Sequence, residues 1–166
     1  MSEYFSSTKS MYWPTEFIDI AHMLKGADPN GNPSHAAMYK FNTGVVVLAA
    51  IIGLIHDRKR EVGSQKQEIS TETFESHKFG NCSLAAYIYL VPLLALQDIE
   101  LLRSENEEEV IRIFEKYVAG GFEYLRGALS QSSDITGQTV LNQEVKNVFA
   151  AIDGDEGMID IMSIKA

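Results

Sequence analysis

Hydrophobic residues recur at helical spacing along most of the chain. After Asn106, apolar side chains return every three or four positions as far as Leu129, and this spacing predicts one amphipathic helix of five or more turns. Asn106 and Glu109, three positions apart, match a capping box at its start. The same spacing predicts a last helix over residues 139–152. The C-terminal half of the chain is therefore expected to be helical.

Two further segments, residues 45–55 and 84–96, are almost continuously apolar. Their length favours buried helices, although the β-branched residues of the first make a strand the alternative. Thr43 is placed to cap the first helix. Pro92 predicts a kink or a division in the second, near Val91. A membrane-spanning helix needs roughly 20 apolar residues, so residues 45–55 are interpreted as core.

The N-terminal region divides into an arm, a helix and a loop. Residues 1–12 lack apolar periodicity, which predicts a flexible arm that becomes ordered only against another surface. A helix is expected to enter at Trp13 and to stop at Gly26. Residues 26–34 concentrate turn-forming residues and predict an exposed loop.

Two local features leave alternatives open. Residues 68–77 favour either a short edge strand through Ile69 or a one-turn helix capped by Ser70. Gly120 and Gly121 lie in the middle of the long predicted helix, where each glycine costs about 1 kcal/mol relative to alanine. They indicate either close packing of two helices or a ligand that approaches bare backbone.

The predicted fold class is mainly α. We expect a single-domain helical bundle of five or six helices, with room for one short edge strand and an extended C-terminal tail. Residues 1–12 form the arm, 13–152 the helical domain and 153–166 a docking tail. The tail is expected to pack on its own core or on another chain through five apolar residues, Met158, Ile159, Ile161, Met162 and Ile164.

Composition narrows the classes of function. The 166 residues contain 45% hydrophobic and 22% charged residues, as expected for one globular domain. The net charge of -9 argues against a surface that embraces nucleic acid as a whole. Cys82 is the only cysteine, so no intrachain disulfide can form. The start of the chain lacks a signal-peptide pattern, and a cytoplasmic location is expected.

A short basic cluster is the clearest candidate contact site. Arg58, Lys59 and Arg60, with Lys66 nearby, offer charges that suit phosphate groups or an acidic partner. The structural alternative is a helix end whose negative dipole is complemented by cations.

Motifs for catalysis and cofactor binding are not recognisable. Residues 28–32 and 153–157 begin like calcium loops. However, Pro33 and Met158 stand where the turn glycine is needed, and Tyr39 and Ile164 stand where the bidentate glutamate is needed. The histidines have no zinc-site spacing, and Cys82 with His77 is interpreted as a small buried thiol beside an unrelated imidazole. The acidic residues 105–109, Glu115 and Glu123 are interpreted as solvated. Accordingly, no catalytic residue, cofactor or metal is predicted.

Two segments carry a family resemblance. Residues 40–60 contain Phe41, Thr43 and an AA-x-x-G pattern and end in basic residues, and residues 111–125 contain I-F-E-x-Y-x-x-G-G. Together with residues 96–102, they resemble the small proteins associated with bacterial DNA phosphorothioation (Dnd) systems. These proteins are short, have no recognised enzyme domain and lie beside modification and restriction genes that defend against phage. The chain departs from the pattern up to about residue 38 and after residue 131.

The resemblance implies an accessory role in antiviral defence and supplies no catalytic residues. The first hypothesis is a non-catalytic subunit that binds a larger ATPase or nuclease and meets DNA through that complex, with homo-oligomers allowed and no membrane contact. One alternative is a nucleic-acid sensor that uses the basic cluster. Another is a small metal-dependent hydrolase with a site assembled from distant segments.

Overall fold

A computed structural model describes residues 4–154. Within this range the protein is mainly α, as predicted, with six α-helices and three short 3-10 helices. The α-helices are α1 Ile18–Leu24, α2 Asn42–Ile55, α3 Thr71–Ser76, α4 Ala85–Leu96, α5 Glu107–Ser130 and α6 Gln138–Gly154. The 3-10 helices are Thr15–Phe17, Ile99–Leu102 and Ser104–Asn106. The strands are β1 Ser10–Pro14, β2 Lys66–Ser70, β3 Lys78–Phe79 and β4 Cys82–Ser83.

Helices α2 and α5 form the centre of the core. A side chain at Gly121 would overlap the carbonyl oxygen of Ala49, and one at Gly53 would overlap the carbonyl oxygen of Tyr117. A side chain at Gly120 would meet the carbonyl of Arg58, just after α2. Glycine is needed here because the two backbones touch. The packing interpretation of the glycine pair is thus confirmed.

The apolar segments are helices, and their predicted caps need correction. The segment around α2 is helical, not a strand, and α4 runs through Pro92 without division before ending at Gln97, whose φ is 53°. Asn106 does not cap α5, because its side chain donates to the Glu100 carbonyl at 2.8 Å. Thr43 lies inside the first turn of α2. No helix of the described residues has the length and apolarity of a membrane span.

The prediction that residues 1–12 form a flexible arm is wrong from Tyr4 onward. β1 pairs antiparallel with β2, from Ser10 opposite Ser70 to Pro14 opposite Lys66. Met11 and Trp13 are fully buried on one face of β1, in the alternation expected of a strand. Helical structure consequently begins at residue 15, not at Trp13. The segment was misread because its partner strand lies more than fifty residues away.

Carboxylates of α5 fix this segment. Glu107 is 3% exposed, and its two oxygens accept from the Ser6 backbone N–H at 2.7 Å and the Ser6 hydroxyl at 2.8 Å. Lys9 Nζ lies 3.5 Å from Glu107. Glu115 accepts from the Tyr12 backbone N–H at 2.7 Å. The prediction that these acids are solvated is therefore wrong for both glutamates.

Both alternatives for residues 68–77 occur in succession. Ile69 belongs to β2, which ends at Ser70. The Ser70 hydroxyl then accepts from the Thr73 backbone N–H at 3.2 Å and caps α3. The five apolar residues of the predicted docking tail lie outside the described residues.

The Glu115 carboxyl predicts a pH effect on stability. Burial raises the pKa of Glu115, against the opposing hydrogen bond from Tyr12. A raised carboxyl pKa in the native state favours folding at low pH, and this contribution is lost as the pH rises through the raised value. Glu115→Gln keeps an oxygen acceptor for Tyr12 and removes the charge. We expect its stability to improve relative to the wild type between about pH 4 and about pH 7.

Urea unfolding across that pH range measures the difference. The matched control is Glu72→Gln on α3, which removes an exposed carboxylate and no buried contact. A Glu115→Gln difference that stays constant across the range contradicts the prediction.

Candidate functional site

Arg60, the centre of the predicted basic cluster, is occupied by intramolecular contacts. Its Nη2 lies 2.6 Å from Glu16 Oε1 and its Nη1 lies 3.6 Å from Glu123 Oε1. The guanidinium also lies 5.5 Å from the centre of the Phe17 ring. These contacts connect the start of the helical region to α5. Arg60 therefore has a structural role that the sequence pattern did not reveal.

Arg58 and Lys59 lie with Arg60 in the loop after α2, whereas Lys66 lies on β2. Lys59 is 3.6 Å from Asp57 and 5.5 Å from the Tyr117 ring centre, and its hydrogen bond with Tyr117 raises its pKa. Lys66 belongs to β2, with its Nζ 4.0 Å from the Tyr12 ring centre. Arg58 is exposed beside Tyr124. Contact of these cations with phosphate or with an acidic partner stays a prediction.

A run of exposed apolar side chains covers the end of α4 and the 3-10 helix that follows. Leu90 and Leu94 are one turn apart and share a face of α4. One more exposed apolar residue ends α4, and two follow in the 3-10 helix after Gln97. Their exposed fractions range from 43% to 72%. We call this set the Leu90–Leu102 surface; its members are Leu90, Leu94, Leu96, Ile99 and Leu102.

Acidic groups accompany this surface. Asp98 Oδ1 accepts from the Glu100 backbone N–H at 3.0 Å and caps the 3-10 helix. Arg103 Nε lies 2.6 Å from Glu100 Oε2, and its Nη1 lies 3.9 Å from Glu105 Oε1. Three carboxylates therefore stand against one guanidinium. The exposed apolar side chains are therefore accompanied along the chain by a net negative charge.

A second apolar face lies on α6. Val145, Phe149 and Ile152 are all more than half exposed and recur at helical spacing. On the other side of α6, Glu144 accepts from the Tyr124 hydroxyl at 3.0 Å and lies 2.7 Å from His56 Nε2. This polar contact fixes the helix and leaves the apolar stripe uncovered by the described residues.

The residues considered for nucleophilic and metal chemistry are not assembled for it. Cys82 is exposed in β4, so the prediction of a buried thiol is wrong. His77 Nδ1 shares a 2.8 Å hydrogen bond with Thr43 Oγ1, and its ring stacks on Phe41. Between residues 4 and 154, no three His, Cys, Asp or Glu side chains are grouped as metal ligands.

The exposed leucines are the feature that sequence reasoning missed. The apolar composition of residues 84–96 predicts a helix but does not show which of its faces stay exposed. The number of apolar residues could have indicated this exposure. In a domain of this size, α2 and α5 cannot cover every face of a third helix. Surplus apolar residues continue through Ile99 and Leu102, beyond the helix end.

A comparison with known protein families assigns this small, mainly helical protein to one of them. The chain belongs to the family described as DNA sulphur modification system-associated protein 4, whose model matches residues 28–156. The match covers well over half of the 166 residues and confirms the resemblance to proteins associated with Dnd phosphorothioation systems. Neither the curated proteins nor the solved structures contain a match to the chain.

Proposed function

We propose that the protein is a non-catalytic accessory subunit of a DNA sulphur modification system and that it binds a larger protein of that system through the Leu90–Leu102 surface. Family membership supports the link to the system. The single observation that carries the binding role is the exposure of five large apolar side chains within thirteen residues. Contiguous exposed apolar surface typically marks an interaction site.

The charge around the surface defines the expected partner. Glu100 and Glu105 are more than half exposed, and Asp98 is also exposed. An apolar centre with a charged edge is the usual anatomy of an interface. We therefore expect the partner to present an apolar groove edged by lysine or arginine. A role in antiviral defence, through an ATPase or a nuclease as that partner, extends the same proposal.

The test measures binding between purified proteins. Each larger protein of the DNA sulphur modification system encoded beside this one is titrated against the wild type and against Leu94→Ser/Ile99→Ser. Loss of central apolar anchors costs about 2 kcal/mol or more, so we expect at least a roughly tenfold weaker Kd. The matched control is Val145→Ser/Phe149→Ser, which alters a different exposed apolar face and should bind as the wild type does.

Two results oppose the proposal. One is wild-type affinity in the Leu94→Ser/Ile99→Ser variant, which excludes this surface. The other is failure of the wild type to bind any larger protein of the system. Circular dichroism of both variants verifies the fold, which we expect to be intact because the substituted side chains are exposed.

A further inference from the structure

A pocket lies where the start of α2 faces the β3–β4 hairpin. Its volume is about 410 Å³, within the range of about 300 to 1,000 Å³ that is typical of small-molecule sites. Arg60 does not line it, and it shares no lining residue with the Leu90–Leu102 surface. Nothing in the accessory role proposed above uses it.

Five aromatic rings and five aliphatic side chains line the pocket. Phe41 and His77 stack with ring centres 3.9 Å apart and planes within 5°. The hydrogen bond shared by Thr43 Oγ1 and His77 Nδ1 holds this pair in place. Phe79, on the hairpin, lines the mouth and is 76% exposed. Tyr39 and Tyr87 also line the pocket and add two further rings.

The charge of the pocket is opposite to that of the protein. Lys40 and Lys78 line it, and no carboxylate is among its described lining residues, although acids outnumber bases 23 to 14 in the chain. Lys40 Nζ lies 5.1 Å from the Phe41 ring centre. Each lysine directly precedes an exposed phenylalanine, Phe41 or Phe79, so both sides of the pocket carry a Lys-Phe dipeptide.

Adjacent rings and cations define the class of ligand. A flat aromatic group binds more tightly when it stacks on phenylalanine, and an attached anion binds more tightly next to the ammonium groups of the two lysines. The pocket also meets the first turn of α2, which has no side-chain cap, so its backbone N–H groups add positive potential. An aliphatic anion can contact the lysines, but it has no ring that could stack on phenylalanine.

We propose that this pocket binds a nucleobase that carries a phosphate, supplied either by a free nucleotide or by an unpaired residue of single-stranded DNA. The base stacks on the exposed ring of Phe79 beside the Phe41–His77 pair, and Lys40 and Lys78 contact the phosphate. This site is independent of the basic cluster around Arg60, and it goes beyond the accessory function proposed above.

Calorimetric titration of the full-length protein tests the proposal. The probes are deoxyadenosine and deoxycytidine monophosphates, a single-stranded oligonucleotide of about ten residues, the free nucleosides, inorganic phosphate and decanoate. We expect the monophosphates or the oligonucleotide to bind, and the nucleosides, phosphate and decanoate to bind at least about tenfold more weakly, since each lacks one of the two contacts. Binding of the oligonucleotide alone supports the proposal with DNA as the source.

Variants locate the site. Phe79→Ser removes an exposed ring, and we expect about tenfold weaker binding from the lost stacking. Lys40→Gln/Lys78→Gln should weaken binding by a similar factor because charged contacts to phosphate are lost. The matched control is Lys146→Gln on α6, which removes an exposed lysine that does not line the pocket and should leave binding unchanged.

The outcomes separate this proposal from the accessory role. Absence of binding by every nucleotide and oligonucleotide probe, equal binding of decanoate, or wild-type affinity in both pocket variants overturns it. Leu94→Ser/Ile99→Ser should bind the nucleotide probe normally even though it loses the protein partner. Conversely, Phe79→Ser should retain the protein partner.

Discussion

Replacement of Gly121 by alanine is expected to lower the free energy of unfolding by about 3 kcal/mol, the upper end of the usual effect of overpacking. The added methyl group would overlap the carbonyl oxygen of Ala49 and lie 2.9 Å from the backbone nitrogen of Gly53. Both obstacles are backbone atoms of α2, so no side-chain rotation relieves them. The two central helices would have to separate, which disturbs the packing of the whole core.

Gly127 provides a matched control on the same helix. It lies in α5 and is exposed. Apart from the neighbouring backbone of α5 itself, no heavy atom lies within 4 Å of an added Cβ. Gly127→Ala should therefore stabilise the protein by about 0.5 to 1 kcal/mol through better helix propensity. Urea unfolding monitored by circular dichroism measures both variants. Equal free energies for the two substitutions contradict the assigned contact between α2 and α5.

Helical periodicity was enough to predict the centre of the fold. The spacing after Asn106 and the apolar run of residues 45–55 correspond to α5 and α2. The glycine pair even indicated that another helix lies close to α5. These features are local, since each is set by side chains within one helix and by the face that it buries.

The N-terminal strand could not be predicted in the same way. Met11 and Trp13 alternate with Tyr12 and Ser10, but an alternation of four residues is too short to distinguish a strand from irregular chain. The decisive contacts are non-local: β2 supplies the pairing and Glu107 of α5 accepts from Ser6. A glutamate in an acidic run gives no local signal that it will be buried.

The candidate sites show the same division between local and non-local information. Sequence identified four cations but not their partners, and Glu16 and Glu123 reach Arg60 from other elements. The aromatic pocket was missed because its two Lys-Phe dipeptides are almost forty positions apart. Only the fold brings Phe41 against His77. Exposure of the Leu90–Leu102 surface likewise depends on how many helices are available to cover α4.

Phe122→Ala is expected to have the second large effect, a loss of about 3 to 5 kcal/mol in the free energy of unfolding. Phe122 is fully buried. Its ring centre lies 5.4 Å from that of Trp13 and 5.4 Å from that of Phe17. Loss of the ring leaves a cavity and removes two aromatic contacts, each worth about 0.5 to 1.5 kcal/mol beyond burial.

The effect should reach the N-terminal segment first. Phe122 is the residue of α5 on which Trp13 of β1 rests, so its removal weakens the docking of β1 as well as the core. Fluorescence of Trp13, the only tryptophan, reports this docking because its indole is fully buried in the native protein. We expect red-shifted emission and a lower urea midpoint in the variant. Phe79→Ala removes an exposed ring and should change neither quantity, so an equal loss of stability in both variants contradicts the core position of Phe122.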